Sequence, residues 1–315
     1  MDNLIFSLNA TVPIFLVMVA GWLLRKQGML TDGFCTAAEK FNFQVTLPAM
    51  LFLDLASIDI RRDFDLRYTL FCAGATTICF GAIWVGARLL LRDRYSVAAF
   101  VQASFRGSAA VMGVAFISNI YGSSGMAPMM ILSSVPLFNI FSVLVLVLED
   151  PEHRQSGAAA IRKALIGICK NPIILGILAG TLASLTGFQF PTMIHKGIES
   201  LAAMATPLAL IVVGAGFEGR SALKKMGPTL GAACLKLVVQ PLVFLPVAAM
   251  MGFTGDKMIA ILVMLAAPTT PSCYIMAKNM GGDHVLTSSA IVATTLLSAF
   301  TMTFWIWALK SFGLL

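Results

Sequence analysis

The chain has 315 residues, of which 58% are hydrophobic and 12% are charged, and its mean hydropathy is +0.87. Soluble domains carry about 25% charged residues, so these values exclude a water-soluble enzyme or binding domain and indicate a chain surrounded by lipid. The net charge of +7 does not point to a nucleic-acid partner, because the basic residues fall in loops between apolar segments, as in membrane proteins.

Ten apolar segments follow one another along the chain, and a membrane-spanning helix needs about 20 such residues. The sequence therefore predicts an all-α integral membrane protein with ten transmembrane helices. The predicted spans are residues 4–24, 39–57, 68–91, 98–120, 126–148, 168–187, 198–217, 228–250, 257–279 and 285–309. They form a first five-helix unit (1–150) and a second (168–315), separated by a hydrophilic linker (151–167).

The basic residues predict the orientation. If the ten spans alternate in direction, fourteen of the 22 Lys and Arg residues lie on one side and six on the other, with Arg106 and Lys236 left inside the membrane. The richer side is cytoplasmic by the positive-inside rule. The sequence thus predicts a multi-pass protein of the plasma (inner) membrane, with both termini outside and the linker in the cytoplasm.

The two halves of the chain resemble each other at a nearly constant offset. Three matches occur in order: 13–23 with 172–182 and Pro48 with Pro207 at an offset of 159, and 119–122 with 279–282 at an offset of 160. Because each unit has an odd number of spans, the second must enter the membrane from the opposite side. The sequence therefore predicts an inverted repeat, as in many secondary transporters.

Helix-breaking or small polar residues interrupt the fourth and ninth spans at matching positions. Prolines lack a backbone donor and clash with the preceding turn, and a break in a membrane is tolerated only beside protein or a wet cavity. Half-helix N-termini at such breaks attract anions. We therefore predict a substrate site there, the alternative being merely kinked structural helices.

The predicted substrate-binding residues are Arg106, Gly107, Ser108 and Gly113 in the fourth span and Pro268, Thr269, Thr270, Pro271 and Ser272 in the ninth. Asn42 and Asn139 are further candidates for lining the cavity, or else for bridging helices.

Two basic residues lie within predicted spans, where a charge costs about 2.5–3.5 kcal/mol on insertion scales and usually faces a cavity or a partner. Arg106 is predicted to face substrate, the alternative being that it snorkels to the cytoplasmic end of its span. Lys236 is a candidate for a charge or coupling role, although an ion pair or a hydrogen bond to a carbonyl is the favoured interpretation. No pair of buried carboxylates is evident, which argues against a cation/proton antiporter built on paired aspartates. Because the charges inside the membrane are positive, the expected substrate is an anion.

Four segments resemble the auxin efflux carrier family, in its bacterial branch of malate or malonate permeases, and the resemblance covers essentially the whole length. They are the first span with Gly21, Thr46-Leu47-Pro48, Ser104-Phe105-Arg106-Gly107, and the stretch from Pro268 through Tyr274-Ile275-Met276-Ala277 to Gly281-Gly282-Asp283. The resemblance implies two inverted five-helix repeats, a scaffold and a moving transport domain, and substrate at the crossing of broken helices 4 and 9. The implied fold is similar to that of bile-acid/sodium symporters and sodium/proton antiporters, and family substrates are mostly organic anions.

The chain departs from the family pattern at two places. Ser108 stands where an Asn commonly follows the Arg-Gly pair, and Gly113 is followed by Val114 and Ala115 where a proline is common. Substrate preference can therefore differ from that of other members.

Together these features predict a secondary transporter of small organic anions, di- or monocarboxylates such as malate or malonate, working by alternating access without cofactor or metal. It is proton-coupled or a uniporter, and a homodimer is compatible with the fold. One alternative is a sodium-coupled symporter or cation/proton antiporter on the same fold, with Asn42, Thr269 and Thr270 as sodium ligands. A remote one is an intramembrane enzyme, for which a Ser–His or paired Asp set is missing.

Overall fold

The computed structural model describes residues 2–57, 65–109, 117, 125–149, 166, 170–187, 190–217 and 219–315, with the backbone alone for 2–11 and 220. Every regular element in this part of the chain is a helix. The prediction of an all-α protein is confirmed for these residues. Gly113 and nearly all of the linker 151–167 lie outside them.

Six helices form the described part of the first half: α1 Asp2–Lys26, α2 Asp32–Phe41, α3 Leu47–Ala56, α4 Leu66–Leu90, α5 Tyr95–Phe105 and α6 Ala127–Leu148. Nine form that of the second: α7 Pro172–Thr186, α8 Thr192–Ala203, α9 Ala205–Ala215, α10 Gly219–Lys224, α11 Met226–Cys234, α12 Gln240–Met250, α13 Gly255–Ala266, α14 Ser272–Asn279 and α15 His284–Ser311. π-Helical turns join α2 to α3 (Asn42–Thr46) and α11 to α12 (Leu235–Val239).

Length and composition make several of these helices fit to cross a membrane. Among the described residues, five qualify: α4, α6, α8 with α9, α11 with α12, and α15. Their outward faces are apolar, as Leu70 and Val85 of α4 show with 62% and 60% of their surface exposed. The chain is therefore a multi-pass membrane protein.

Two predicted spans begin earlier in the structure than hydropathy indicates. The second starts with α2 at Asp32, where the Thr31 hydroxyl accepts a hydrogen bond from the backbone N–H of Phe34 and caps the helix. The seventh starts with α8 at Thr192. Both added stretches contain polar and charged residues, so a search for apolar runs leaves them out.

The ninth predicted span is interrupted where its prolines predict. Helix α13 ends at Ala266, the next residues are not helical, and α14 begins at Ser272. In the first half, α5 ends at Phe105 and Arg106 takes an extended conformation (φ −94°, ψ 132°). The two interruptions touch, because the backbone N–H of Ser108 donates to the carbonyl of Pro268 over 2.9 Å.

Glycines allow two pairs of helices to pack backbone against backbone. Where α1 meets α9, a Cβ on Gly21 would lie 2.3 Å from the carbonyl oxygen of Ile211. Where α3 meets α7, a Cβ on Gly180 would lie 2.5 Å from the carbonyl oxygen of Phe52. Small residues permit this close approach of helices in a membrane, where packing drives their association.

One ion-paired cluster joins three connections at one end of the molecule. Nζ of Lys225 lies 2.7 Å from Asp93 and 2.9 Å from Asp283, whose carboxylate also caps α15. Burial alone would lower the pKa of Lys225, but its hydrogen bonds to the two carboxylates raise it. The same hydrogen bond from Lys225 lowers the pKa of Asp93. This cluster holds the α4–α5, α10–α11 and α14–α15 connections together.

Candidate functional site

Arg106 lies at the C-terminal end of α5 and is buried, with 4% of its surface exposed. Its guanidinium donates to Oδ1 of Asn139 (2.8 Å), Oγ of Ser272 (2.7 Å) and Oγ of Ser142 (3.4 Å), and contacts Sδ of Met276 (2.8 Å). These partners belong to α6 and α14. The side chain is therefore held inside the protein, and it does not reach the surface as the snorkelling alternative requires.

All of the partners of Arg106 named above are neutral. The ion pairs found among the described residues do not include it. A buried cation is stable when it is paired and hydrogen-bonded, and here hydroxyls, an amide and a thioether provide the hydrogen bonds without the opposite charge. The site is thus electrostatically suited to an anion.

Lys236, in the π-helical turn between α11 and α12, lies beside the same crossing and is fully buried. Its Nζ donates to the carbonyls of Phe105 (3.3 Å) and Met264 (3.0 Å), which belong to the last turns of α5 and α13. Helix C-termini carry a partial negative charge of about half a unit each. The positive charge of Lys236 therefore offsets the partial negative charges at the C-termini of two helices. The structure has hydrogen bonds to carbonyls here, as in the interpretation favoured from the sequence.

The polar residues of the break in the ninth span divide into two groups. Thr269 faces the crossing: its hydroxyl donates to the carbonyl of Ala103 (2.7 Å), and its N–H donates to the Thr294 hydroxyl (3.1 Å). Thr270 and Ser272 instead face the guanidinium side and lie 3.1 Å apart through their hydroxyls. Pro268 and Pro271 shape the break, the former by offering its carbonyl to Ser108.

A small cavity of about 40 Å³ lies against Arg106. One wall holds the predicted residues Arg106, Gly107, Ser108, Asn139, Thr270 and Ser272. A second wall is formed by residues of other helices: Leu47, Met50 and Leu51 of α3, Ile173 of α7 and Thr206 of α9. This space has room for about one water molecule, so a carboxylic acid fits only when the two walls separate.

Asn42 is not part of this cavity. Its amide donates to the carbonyl of Ala205 (2.9 Å), and its Oδ1 accepts from the Thr46 hydroxyl (3.1 Å). The helix-bridging alternative matches these contacts. Asn139 differs, because it both lines the cavity and binds Arg106.

Three contributors escaped sequence reasoning. Ser142 and Met276 contact Arg106, and Gln240 donates its amide to the carbonyl of Ser104 at the end of α5. Ser142 had a detectable signal, since it follows Asn139 by one helical turn on the same face of α6. Met276 lies in a segment that carries the family resemblance, but the sequence indicates neither its contact nor that of Gln240, because both are contacts between distant parts of the chain.

Replacing Gly107 with alanine should open the crossing. A Cβ there would lie 2.9 Å from the Ala267 carbonyl oxygen and 2.9 Å from both Cε and Nζ of Lys236. Since this contact is closer than real Cβ atoms show, the two breaks must separate. We expect Gly107→Ala to lose at least about tenfold in transport rate in liposomes, a barrier change of about 1.4 kcal/mol. Gly81→Ala, at a helical glycine with open space around it, is the control; equal rates for both variants would contradict the expectation.

Interrupted helices that meet at a buried polar site are the architecture of membrane transport proteins. Residues 6–306 match the family described as "Membrane transport protein". The chain belongs to this family, the auxin efflux carrier family that its four segments resemble, and it is a membrane transport protein and not an enzyme.

Two relatives align along nearly the whole chain. A protein of Rhizobium meliloti (strain 1021) named "Putative malonate transporter" is 23% identical over 309 residues, covering 93% of this chain and 96% of its own length. A protein of Methanothermobacter thermautotrophicus named "Uncharacterized transporter" is 21% identical over 301 residues, covering 95% of this chain and 97% of its own.

Proposed function

We propose that this protein is a secondary carrier of small organic anions, di- or monocarboxylates such as malonate, which bind Arg106 and cross the membrane by alternating access. The observation that carries the proposal is the buried guanidinium at the contact of two helix breaks, with neutral hydrogen-bond partners and no carboxylate among the described residues within ion-pair distance. A carboxylate substrate provides the missing charge, and arginine binds carboxylates through two parallel hydrogen bonds.

The balance of positive charge around the crossing favours an anion over a cation. Lys236 donates to the ends of α5 and α13, so its charge is offset by two helix dipoles. Arg106 lies instead beside the beginning of α14, at Ser272, where the dipole is positive. Guanidinium and helix N-terminus together attract a negative group.

An internal symmetry of the close helix contacts supports two inverted five-helix repeats with ten spans. Gly21 approaches Ile211, and Gly180 approaches Phe52. The offset of 159 between the two halves relates these contacts. It places Gly180 at the position of Gly21, and Ile211 at the position of Phe52. Each half therefore contributes one helix that bears the glycine (α1 or α7) and one helix that it packs against (α3 or α9). Two halves related by a pseudo-twofold axis would have this arrangement.

The two walls of the cavity support alternating access between two groups of helices. We assign α3, α7 and α9 to one body, and α5, α6 and α14 with their helix breaks to the other. In the structure the cavity between them has a volume of only about 40 Å³, which we interpret as a closed state between two open ones. The orientation with both termini outside stays a prediction, and so does the homodimer.

The name of the Rhizobium relative makes malonate the first substrate to test. Malonate is a small dicarboxylate, and Arg106 with Ser272 and Asn139 offers donors for a carboxylate. Because the chain departs from the family pattern at Ser108 and after Gly113, several organic acids have to be tested. Purified protein in liposomes on a solid-supported membrane should give saturable currents for malonate, malate, succinate, lactate or an aromatic acid, without ATP. No current and no exchange with any of these acids would contradict the proposal.

A sodium-coupled symporter is disfavoured by the position of Lys236. The sodium ligands expected from the sequence, Asn42, Thr269 and Thr270, do not converge, since Asn42 binds the carbonyl of Ala205 and does not line the cavity with Thr270. The carbonyls of Phe105 and Met264 could bind a sodium ion at the crossing instead, but both already accept hydrogen bonds from Lys236. We therefore expect substrate currents to be equal within about twofold in sodium and in choline buffers, and Lys236→Met to lose transport because both carbonyls lose their partner. Currents that require sodium in the wild type would favour the alternative.

A further inference from the structure

A second polar cavity, of about 230 Å³, lies at the other end of α14 from Ser272. Its wall includes Arg25, Asp32, Glu39, Tyr274, Lys278 and His284. Asp32 and Lys278 are exposed, so the rim of this cavity reaches the surface. Helix geometry places Lys278 about 9 Å from Ser272 along α14, so the cavity begins within about two helical turns of Arg106.

Glu39 differs from the other acidic residues of the described part. Glu39 and Asp283 are buried as whole residues, with 5% and 2% of the surface exposed. Of the other largely buried carboxyl groups, Glu149 pairs with Arg88, and Asp54 of α3 does not line this cavity. Asp283 is engaged by Lys225 and by the cap of α15. Glu39 is in none of the ion pairs found, and its Oε1 accepts a hydrogen bond from the hydroxyl of Tyr274 over 3.0 Å. It is a buried carboxyl group that borders a polar cavity.

Tyr274 connects Glu39 to the substrate site. It lies on α14, between Ser272 and Met276, which both contact Arg106. Its hydroxyl fits against the backbone of α9, because a Cβ on Gly216 would lie 2.3 Å from it. The hydrogen bond from Tyr274 to Glu39 therefore links the helix that bears substrate-site residues to α2. The contact with Gly216 packs the same helix against α9, which belongs to the other body.

We propose that Glu39 carries the coupling proton, so that the protein is a proton-coupled carrier. The proposal rests on the proposed function and names its coupling ion and the residue that binds it. A hydronium ion in the cavity transfers its proton to the Glu39 carboxylate: one O–H bond of the hydronium breaks, one O–H bond on the carboxyl group forms, and the products are water and a neutral carboxylic acid. On the opposite side of the cycle the same proton returns to water.

Protonation acts on the contact with Tyr274. A hydrogen bond to an ionised acceptor is roughly twice as strong as one between neutral groups, so the neutral acid holds Tyr274 less firmly. Release of α14 from α2 and α9 lets the walls around Arg106 part. An equilibrium between two conformations shifts by the difference in proton affinity of the two states.

Several helices of the cavity wall place charged or titratable side chains near Glu39. Arg25 of α1 pairs with Asp32 of α2, Lys278 of α14 lies one turn beyond Tyr274, and His284 begins α15. Cys35 of α2 completes the titratable set, while α9 contributes Ala215 and Gly216. Lys278 favours the ionised carboxylate of Glu39, so protonation has to compete with it.

The test compares two activities of the same liposomes. Counterflow exchanges malonate for malonate and needs no net proton movement, whereas uptake driven by a pH gradient does. We expect Glu39→Gln to keep counterflow within about twofold of wild type and to lose gradient-driven uptake at least tenfold. Glu39→Asp should retain both, and Asp32→Asn, at an exposed carboxylate of the same wall, should behave as wild type.

Several results would overturn the assignment. Glu39→Gln with intact gradient-driven uptake would do so, as would wild-type counterflow without any response to a pH gradient; the second leaves the anion carrier in place. Loss of gradient-driven uptake in Asp54→Asn, with Glu39→Gln unaffected, would move the proton to Asp54. Absence of wild-type counterflow would remove the proposed function and this inference together.

If Glu39→Gln does not fold, Tyr274→Phe is the second variant. Without the hydroxyl, ionised Glu39 loses a donor, so the pH of half-maximal gradient-driven uptake should rise. An unchanged pH profile would also overturn the role of Glu39.

Discussion

Arg106→Gln should lower malonate transport by about 10- to 100-fold. Hydrogen bonds to a charged group contribute about 1.5–3 kcal/mol each, and a glutamine cannot form the paired charged contact with a carboxylate. The amide still bonds to Asn139 and Ser272, so the fold should survive. Initial currents on a solid-supported membrane over a range of malonate concentrations measure the effect, which should include a raised half-saturating concentration.

Two further variants make the Arg106 result specific. Arg106→Lys keeps the charge but loses the planar fork, so its transport should fall between wild type and Arg106→Gln. Arg94→Gln makes the same substitution at an exposed arginine just before α5 and should transport as wild type. If Arg106→Gln matches Arg94→Gln in rate and apparent affinity, the guanidinium is structural and the substrate binds elsewhere.

Gly214→Ala should be the most destabilising methyl addition among the described glycines. A Cβ at this position would lie 1.9 Å from the carbonyl oxygen of Met18, where α9 crosses α1. The obstructing atom belongs to a helix backbone and cannot rotate away, so the helices must move apart. Overpacking costs about 1–3 kcal/mol, occasionally more, and we expect a lower melting temperature and a loss of monodisperse protein in detergent.

The matched control for Gly214 is Gly74→Ala in α4. Nothing lies within 4 Å of a Cβ built there, and alanine favours a helix over glycine by about 0.5–1 kcal/mol. Gly74→Ala should therefore melt at or above the wild-type temperature. Equal melting temperatures for the two variants would show that α1 and α9 tolerate a wider separation.

Local chemistry made the central features predictable from the sequence. A charged residue inside an apolar run, Arg106, predicted a buried site, and the structure places it among Asn139, Ser142 and Ser272. Two prolines three residues apart predicted the break between α13 and α14, because a proline within a helix removes a donor and clashes with the turn before it. Both inferences needed only neighbouring residues.

Long-range contacts were beyond sequence reasoning. Lys236 binds carbonyls of Phe105 and Met264, and nothing in its own segment identifies those partners. Asn42 was a candidate either for lining the cavity or for bridging helices. Only its contact with the Ala205 carbonyl of α9 shows that it bridges helices. Glu39 lies at the edge of a predicted span, where acidic residues are common. Its contact with Tyr274, in the second half of the chain, distinguishes it, and this contact could not be inferred from the sequence.

The central claim is that one chain carries organic anions by exposing a single site alternately to the two sides of the membrane. Counterflow tests it most directly: liposomes loaded with unlabelled malonate are diluted into a trace of labelled malonate. We predict a transient accumulation of label above its outside concentration, since a carrier that returns loaded exchanges one anion for another. Label that only equilibrates would indicate a channel, and absence of uptake for malonate and for every other acid of the panel would contradict the account.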